Sequence, residues 1–239
     1  MADISDIPII DAHIHLYPKS EVDTLAWFKP GHPLGGQHSI SEYVAATEAP
    51  PNLRGFVFVE ADRKNHLDSP DGWKYPLMEV DWIVRIATGA PKEGEGHQPW
   101  HKRLCLAMVP WAPVPLGRMA MREYVADVKT RTEGKVNVPG FRYLVNAHPK
   151  GTMTAEGFID SLKWLGEEGY LFELGIDQRQ GGLWQMDEAI DMIRRAHDGV
   201  PEEKKVAIVI SKIAVCAALA SSKGLTLDRP YVQTQHADP

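Results

Sequence analysis

The chain is short of several features that would define its class directly. Its 239 residues include two cysteines, Cys105 and Cys216, which are too few for a disulfide framework. Its 26 basic and 32 acidic residues give a formal net charge of −6, so no basic excess is available to neutralise phosphates. These shortages argue against a disulfide-stapled secreted domain and against nucleic acid as a partner.

Long apolar runs are also scarce. A transmembrane helix needs about 20 consecutive apolar residues. The best candidate, 206–220, is shorter than that and carries Ser211 and Lys212. The first residues are acidic where a signal peptide would have its basic region. We therefore predict a cytoplasmic protein without a membrane partner.

The remaining composition, 44% hydrophobic and 24% charged, is typical of a globular protein. Short apolar runs alternate with longer segments of helical periodicity, which predicts an α/β fold with a parallel sheet. Strands are predicted at 9–15, 55–60, 104–109, 140–145, 171–176 and 206–210. Helices are predicted at 39–47, 77–88, 118–132, 154–166 and 184–196, the first with Ser39 and the fourth with Thr154 as cap.

Two layouts suit this alternation: an open doubly wound sheet and a (β/α)8 TIM-type barrel. A dinucleotide-binding sheet would normally have a glycine-rich turn after its first strand, but this strand ends in HIHLYP. The sequence therefore favours the barrel. Strand spacing near 40 residues would require about 320 for eight units, so we expect about six of the eight, within residues 1–210. Residues 211–239 are expected to form an atypical tail.

The run Asp11-Ala12-His13-Ile14-His15 carries the strongest chemical signal. Residues two apart in a strand point to the same side, so His13 and His15 should project together at the carboxyl end of the first strand. That end is the active-site face of a β/α barrel. Two converging imidazoles can bind a divalent metal ion, of the zinc or manganese class, and Asp11 could orient one of them. The alternative is a structural histidine pair.

Several segments resemble one protein family. The opening IPIIDAHIHLYP is similar to the first strand of the amidohydrolase superfamily. The segments GFVFVEADR, KRLCLAMVPWAP, VPGFRYLV and FELGIDQR resemble its amidohydrolase-related branch, which contains sugar and pyrone-dicarboxylate lactonases and some decarboxylases. L-rhamnono-lactonase-like proteins are the most similar group. The resemblance implies a TIM-type barrel and covers about residues 6–210.

The resemblance also implies roles for individual residues. His13 and His15 match the metal-binding or water-activating pair, and Arg142 matches an arginine that faces the substrate carboxylate or lactone carbonyl. A structural ion pair with a neighbouring strand is the alternative for Arg142. In the family, the strand that matches 206–210 ends in a histidine, and an aspartate follows the last strand. Neither has a counterpart here, because the first histidine after residue 210 is His236 and Asp228 follows no predicted strand.

Three other residues are candidates for substrate binding because they lie at the end of a predicted strand or shortly after it. Glu60 could accept hydrogen bonds from sugar hydroxyls, or it could form a salt bridge to Arg63 or Lys64. Trp111 could line the pocket or fix its loop, and His148 could approach the mouth of the barrel. Asp177 and Gln178 end the fifth strand with weaker signals.

The resemblance thus implies a metal-assisted hydrolase, lactonase-like, that opens a sugar-acid lactone ring. A non-oxidative decarboxylase acting on an aromatic carboxylic acid is a second reading, and a non-catalytic, truncated isoform is a third. The expected partner is a small lactone or carboxylic acid, and a homo-oligomer is left open.

Overall fold

The computed structural model describes residues 7–177 and 182–211, where parallel strands alternate with helices. The strands are β1 (Ile9–Ile14), β2 (Leu53–Val59), β3 (Cys105–Val109), β4 (Gly140–Leu144), β5 (Leu171–Gly175) and β6 (Ile208–Ser211). The α-helices are α1 (Ile40–Ala46), α2 (Lys74–Thr88), α3 (Arg118–Thr132), α4 (Glu156–Glu167) and α5 (Trp184–His197). Short 3-10 helices lie at Lys19–Thr24, Pro70–Trp73, Pro99–Leu104, Val114–Leu116 and Glu202–Lys204.

The strands lie side by side in chain order. β1, β2 and β3 form one parallel three-stranded sheet, and β4, β5 and β6 form another. Backbone hydrogen bonds join the two sheets beyond β3, where the N–H of Arg142 donates to the Pro110 carbonyl and the N–H of Ala112 donates to the Arg142 carbonyl, both at 2.9 Å. Sequential order is the winding of a barrel, whereas a doubly wound sheet reverses its order.

Helix ends agree with the local sequence in most cases. Ser39 caps α1, and its N–H donates to the Glu42 carboxylate at 2.9 Å. Gly89 ends α2 in the left-handed conformation at φ 68°, which glycine adopts without strain. The prediction that Thr154 caps α4 is wrong: Ala155 takes the cap position, and the Thr154 hydroxyl donates to the Gly151 carbonyl instead.

The core lies between the sheet and the helices that cover it. Phe58 of β2 packs edge-on against Trp82 of α2, with ring centroids 6.3 Å apart. Phe172 of β5 packs against Phe158 of α4 at 5.7 Å. Aromatic side chains of β2 and β5 therefore pack against the helix that follows β2 and the helix that precedes β5.

The outer strands carry exposed apolar side chains, with Ile10 of β1 55% and Ile210 of β6 43% exposed. No helix in 7–177 or 182–211 is long and apolar enough to cross a membrane. The thiol of Cys105 is free, and burial raises its pKa to about 12. The predicted tail beyond Ser211, with Cys216, Asp228 and His236, lies outside the described residues.

Candidate active site

The two histidines of the first motif meet at the carboxyl end of β1, as the alternation of a strand predicts. Their Nε2 atoms are 3.1 Å apart, and the rings stand edge to face with centroids 4.7 Å apart. The Nδ1 atom of His15 faces the Glu60 carbonyl at 2.8 Å and the Val59 carbonyl at 3.1 Å. Since a carbonyl oxygen only accepts, Nδ1 carries the proton and Nε2 of His15 presents its lone pair.

His13 on β1 is oriented by a carboxylate on β5, which belongs to the other sheet. Its Nδ1 atom lies 3.1 Å from Oε1 of Glu173, a buried residue in the middle of β5. The carboxylate accepts the Nδ1 proton, so Nε2 of His13 also presents a lone pair, directed at His15. Two lone pairs at this separation repel each other unless a proton or a cation lies between them. A proton or a cation between the two Nε2 atoms would remove this repulsion.

Glu173 is a residue that sequence reasoning missed. The candidate orienting group was Asp11, but its carboxylate accepts the backbone N–H of His13 at 3.3 Å, and Nδ1 of each imidazole is occupied elsewhere. A signal for Glu173 was present, because one acidic residue interrupts the apolar run Phe172-Glu173-Leu174. A charge inside a buried strand requires a partner.

Arg142 lies on β4 beside Glu173, its register partner on β5. Nη1 of Arg142 is 3.2 Å from Oε1 of Glu60, and Nε is 3.7 Å from Oε1 of Glu173. All three side chains are 5% exposed or less. The ion pair with a neighbouring strand that was considered for Arg142 is therefore present.

The alternative partners considered for Glu60 are wrong. Nε of Arg63 binds Glu79 at 3.0 Å, Arg63 also pairs with Glu21 at 3.0 Å, and Nζ of Lys64 donates to the Asp23 carbonyl. Glu60 directly follows the end of β2 at Val59, and its backbone N–H donates to the Val109 carbonyl at the end of β3. Its carboxylate pairs with Arg142 instead.

The pKa values of the two buried glutamates in this cluster shift in opposite directions. Burial raises the pKa of Glu60, against the nearby Arg142 guanidinium, which lowers it. Burial would raise the pKa of Glu173 too, but the hydrogen bond from His13 and the charge of Arg142 hold it below its usual value. Glu173 is thus the carboxylate that stays ionised.

Polar atoms in this cluster lack good hydrogen-bond geometry. Among the described residues, Oε1 of Glu60 and Nε of Arg142 are buried without a hydrogen bond. Buried polar groups in native proteins are normally hydrogen-bonded, and exceptions occur at functional sites. The cluster is therefore suited to receive a polar ligand.

The other predicted residues lie around this cluster. The ring of His148 stacks on Tyr143 at 5.0 Å, and burial lowers its pKa, partly opposed by Asp62. Trp111 is buried, packs against Tyr124 at 5.4 Å, and forms a parallel bridge with Arg142, so it holds the middle of β4. That Trp111 also lines the pocket stays a prediction.

The weaker candidates Asp177 and Gln178 stay predictions. The N–H of Asp177 donates to the Gln185 side chain at 3.1 Å, and Gln178 lies outside the described residues. Within 7–177 and 182–211, no three His, Cys, Asp or Glu side chains are grouped closely enough to form a complete metal site. Any cation held here would take its protein ligands in that part of the chain from the histidine pair.

The fold is shared with solved structures of proteins that are named as amidohydrolases. Amidohydrolase 2 from Bifidobacterium longum subsp. infantis superimposes with a TM-score of 0.51 at 19% identity, over 90% of this chain and 68% of that one. An amidohydrolase from Burkholderia multivorans with bound Zn gives a TM-score of 0.54 at 16% identity, over 79% of this chain and 54% of that one. These similarities support the TIM-type α/β fold.

The sequence comparison narrows the class. No family model matches the chain. Over 197 residues, or 80% of the chain, it is 38% identical to L-rhamnono-gamma-lactonase from Scheffersomyces stipitis. The predicted resemblance to the amidohydrolase-related branch is thereby confirmed. The chain spans 58% of that relative's length.

Proposed function

We propose that the chain is a lactonase-like hydrolase that opens the ring of a sugar-acid lactone with the help of a divalent cation. The observation that carries the proposal is the pair of facing Nε2 atoms, 3.1 Å apart, beside the buried Arg142. The similarity to L-rhamnono-gamma-lactonase from Scheffersomyces stipitis supports the substrate class. Glu60, Trp111 and His148 complete the proposed surroundings of the substrate.

The histidine pair fits a cation. Zn–N bonds are about 2.0–2.1 Å long, so two nitrogens bound tetrahedrally to one ion lie roughly 3.3 Å apart. The Nε2 atoms of His13 and His15 are 3.1 Å apart, and the Nδ1 atom of each faces an acceptor, the arrangement expected for metal-ligating histidines. The bound Zn of the Burkholderia neighbour also favours zinc over manganese. When bound, such an ion polarises a carbonyl group and makes water more acidic.

The protein residues then have distinct tasks. Hydrolysis adds water to the lactone carbonyl carbon and breaks the ring C–O bond, and negative charge develops on the carbonyl oxygen. Arg142 supplies guanidinium N–H donors for that oxygen. Glu60 and Glu173 hold the guanidinium in place from two sides. Trp111, two residues beyond the end of β3, fixes the backbone of Arg142 through the parallel bridge that joins them.

Two further features of the proposal concern the chain as a whole. We take the six described strands as about six units of an eight-unit barrel. We also infer a cytosolic protein that binds a small molecule, with the free Cys105 thiol in favour of a reducing compartment. The apolar side chains exposed on β1 and β6 are available for contact with a second copy of the chain. Sedimentation of the purified chain measures such self-association.

A substrate panel tests the reaction class. The purified chain, supplied with zinc, is given neutral aldono-γ-lactones in one set of assays and carboxylated aromatic acids in another. We expect the lactones to release acid, which pH-stat titration measures, and the aromatic acids to release no carbon dioxide. Carbon dioxide release without lactone hydrolysis would establish the decarboxylase reading instead, and no turnover in either set would contradict both.

A further inference from the structure

The pairing of β1 with β2 is irregular where β1 approaches its two histidines. Asp11 lies opposite Phe56 and Ile14 lies opposite Phe58, so β1 advances three residues while β2 advances two. Such an extra residue interrupts the ladder and re-aims the side chains near it. The register pairs end at Ile14, one residue before His15. The backbone ladder alone therefore does not determine how His15 meets the chain of β2.

The orientation of the His15 imidazole depends on that meeting. Its Nδ1 proton is accepted by two main-chain carbonyls at the end of β2 and just beyond it, those of Val59 and Glu60. A shift of about 1 Å between the two segments would stretch the 2.8 Å contact with the Glu60 carbonyl beyond normal hydrogen-bond range. The direction of Nε2, which faces His13, would change with it.

The loop that follows β1 and the loop that follows β2 are joined to each other by backbone hydrogen bonds. The N–H of Ala26 donates to the Asp62 carbonyl at 2.8 Å. The N–H of Lys64 donates to the Thr24 carbonyl at 2.7 Å. Between these two bonds lies Arg63, which forms an antiparallel bridge with the first loop. Asp62 takes a φ of 58° there, a left-handed conformation that persists where the surroundings enforce it.

The side chain of Arg63 binds both sides of this junction. It is 1% exposed, and its Nη1 donates to the Glu21 carbonyl at 3.1 Å and to the Thr24 hydroxyl. Its Nη2 lies 3.0 Å from the Glu21 carboxylate, and its Nε donates to Glu79 of α2 at 3.0 Å. One buried guanidinium thus binds three groups of the loop after β1 and one group of the helix after β2. Arginine suits this task because its planar fork presents several donors in fixed directions.

We propose that Arg63 is a positioning residue, which holds the loop after β1 against the loop after β2 and thereby keeps the His15 imidazole on the Glu60 carbonyl. Its bonds reach Glu21 and Thr24, six and nine residues after His15, so its effect on the imidazole passes through the main chain. The proposal rests on the hydrolase function proposed above in one respect, namely that His15 binds the cation.

The first test replaces Arg63 with Gln, which removes the charge and keeps a polar side chain. Burial raises the pKa of Glu79 to about 7, so at about pH 7 this carboxylate can take up a proton in the variant, which should therefore fold. Arg131→Gln is the matched control, because Arg131 also pairs with α2, through Asp81, but is 35% exposed.

The first measured quantity is the Kd for zinc, obtained by competition with a chelator at a temperature at which each variant is folded. We expect this Kd to rise about tenfold or more in Arg63→Gln and to stay within about twofold in Arg131→Gln. A role of Arg63 in stability alone would lower Tm and leave the Kd for zinc unchanged, which would overturn the proposal.

A second variant and a measurement without metal keep the test independent of zinc binding and turnover. Thr24→Val removes one acceptor of the guanidinium at nearly constant shape, so it should act in the same direction with a smaller effect. NMR of the ring nitrogens in the metal-free chain measures the tautomer of His15, which the Glu60 carbonyl holds as Nδ1–H in wild type. We expect Arg63→Gln to populate the Nε2–H tautomer as well, and Arg131→Gln to retain the wild-type tautomer.

The outcomes separate this proposal from the hydrolase function. Wild type that binds no zinc and hydrolyses no lactone, but loses the Nδ1–H tautomer in both variants of the junction, would end the hydrolase proposal and support the positioning role. Lactone hydrolysis by wild type with the same His15 tautomer in both variants would overturn the positioning role alone, as would a wild-type His15 without the Nδ1–H tautomer. The tautomer decides where it disagrees with the zinc affinity, and Thr24→Val decides if Arg63→Gln does not fold.

Discussion

Replacing Arg142 with Met should destabilise the protein strongly, and more so as the pH rises. Arg142 is the cation that pairs with both Glu60 and Glu173, at 3.2 and 3.7 Å, and each side chain is at least nine-tenths buried. Removing one partner of a buried ion pair typically costs about 3–5 kcal/mol, because a charge stays buried without compensation. For a chain of this size, about 1 kcal/mol shifts Tm by roughly 2–4 °C. We therefore expect Tm to fall by roughly 6–20 °C near pH 8.

The pH dependence follows from the direction of the pKa shifts. The folded-state pKa of Glu60 is already raised by burial, so the stability linked to this group is complete below its unfolded pKa and declines as the pH rises through the folded value. Without Arg142, which lowers it, that pKa rises further. The variant should consequently lose less stability near pH 5, where more of Glu60 is protonated, than near pH 8.

A double-mutant cycle measures the coupling. Urea unfolding is followed by circular dichroism for wild type, Arg142→Met, Glu60→Gln and the double variant at both pH values. The double variant should be more stable than the sum of the single losses predicts, because it removes charge from both sides of the pair. A loss under about 1 kcal/mol for Arg142→Met at pH 8, or additivity within about 0.5 kcal/mol, would refute the reasoning.

Three further predictions test the surroundings of the site. Glu173→Gln should lower zinc affinity, measured by competition with a chelator, by about 10–100-fold, because its histidine partner on β1 loses a charged acceptor; unchanged affinity would contradict the orienting role. Gly175→Ala should lower lactone turnover, because a Cβ there would lie 2.8 Å from Nη2 of Arg142, whereas Gly36→Ala, with nothing within 4 Å, should have no effect; equal rates would show that the guanidinium can move aside. Burial raises the pKa of Glu79 to about 7, so the stability linked to it falls as the pH rises from about 5 to 8. Glu79→Gln should flatten that part of the unfolding profile, and an identical slope would contradict the assignment.

The elements of the fold were predictable because their signals are local. Apolar runs and helical periodicity gave all six described strands within about two residues, and α3 was predicted over the residues it occupies, 118–132. The convergence of His13 and His15 was equally local, since it depends only on the alternation of one strand.

The pairing within the site was not predictable in the same way. Glu173 on β5 contacts His13 on β1, and it lies opposite Arg142 on the neighbouring strand β4. Both contacts depend on how segments distant in sequence are brought together. Asp62 gave no sequence signal at all, because its strained φ arises from contacts with Glu60 and with the segment around Ala26. Single-residue patterns indicate which chemistry is present, whereas tertiary contacts decide which groups act together.

The most direct test of the central claim is the rate of lactone hydrolysis with and without the histidine pair. Steady-state kcat/KM for a neutral aldono-γ-lactone is measured with zinc for the full chain, for His13→Asn and for His66→Asn, a control at an imidazole that is half exposed. We expect hydrolysis by wild type and by His66→Asn, and a loss of about 100-fold or more in His13→Asn. Hydrolysis at the wild-type rate in His13→Asn, or none above the spontaneous rate in wild type, would contradict the proposed function.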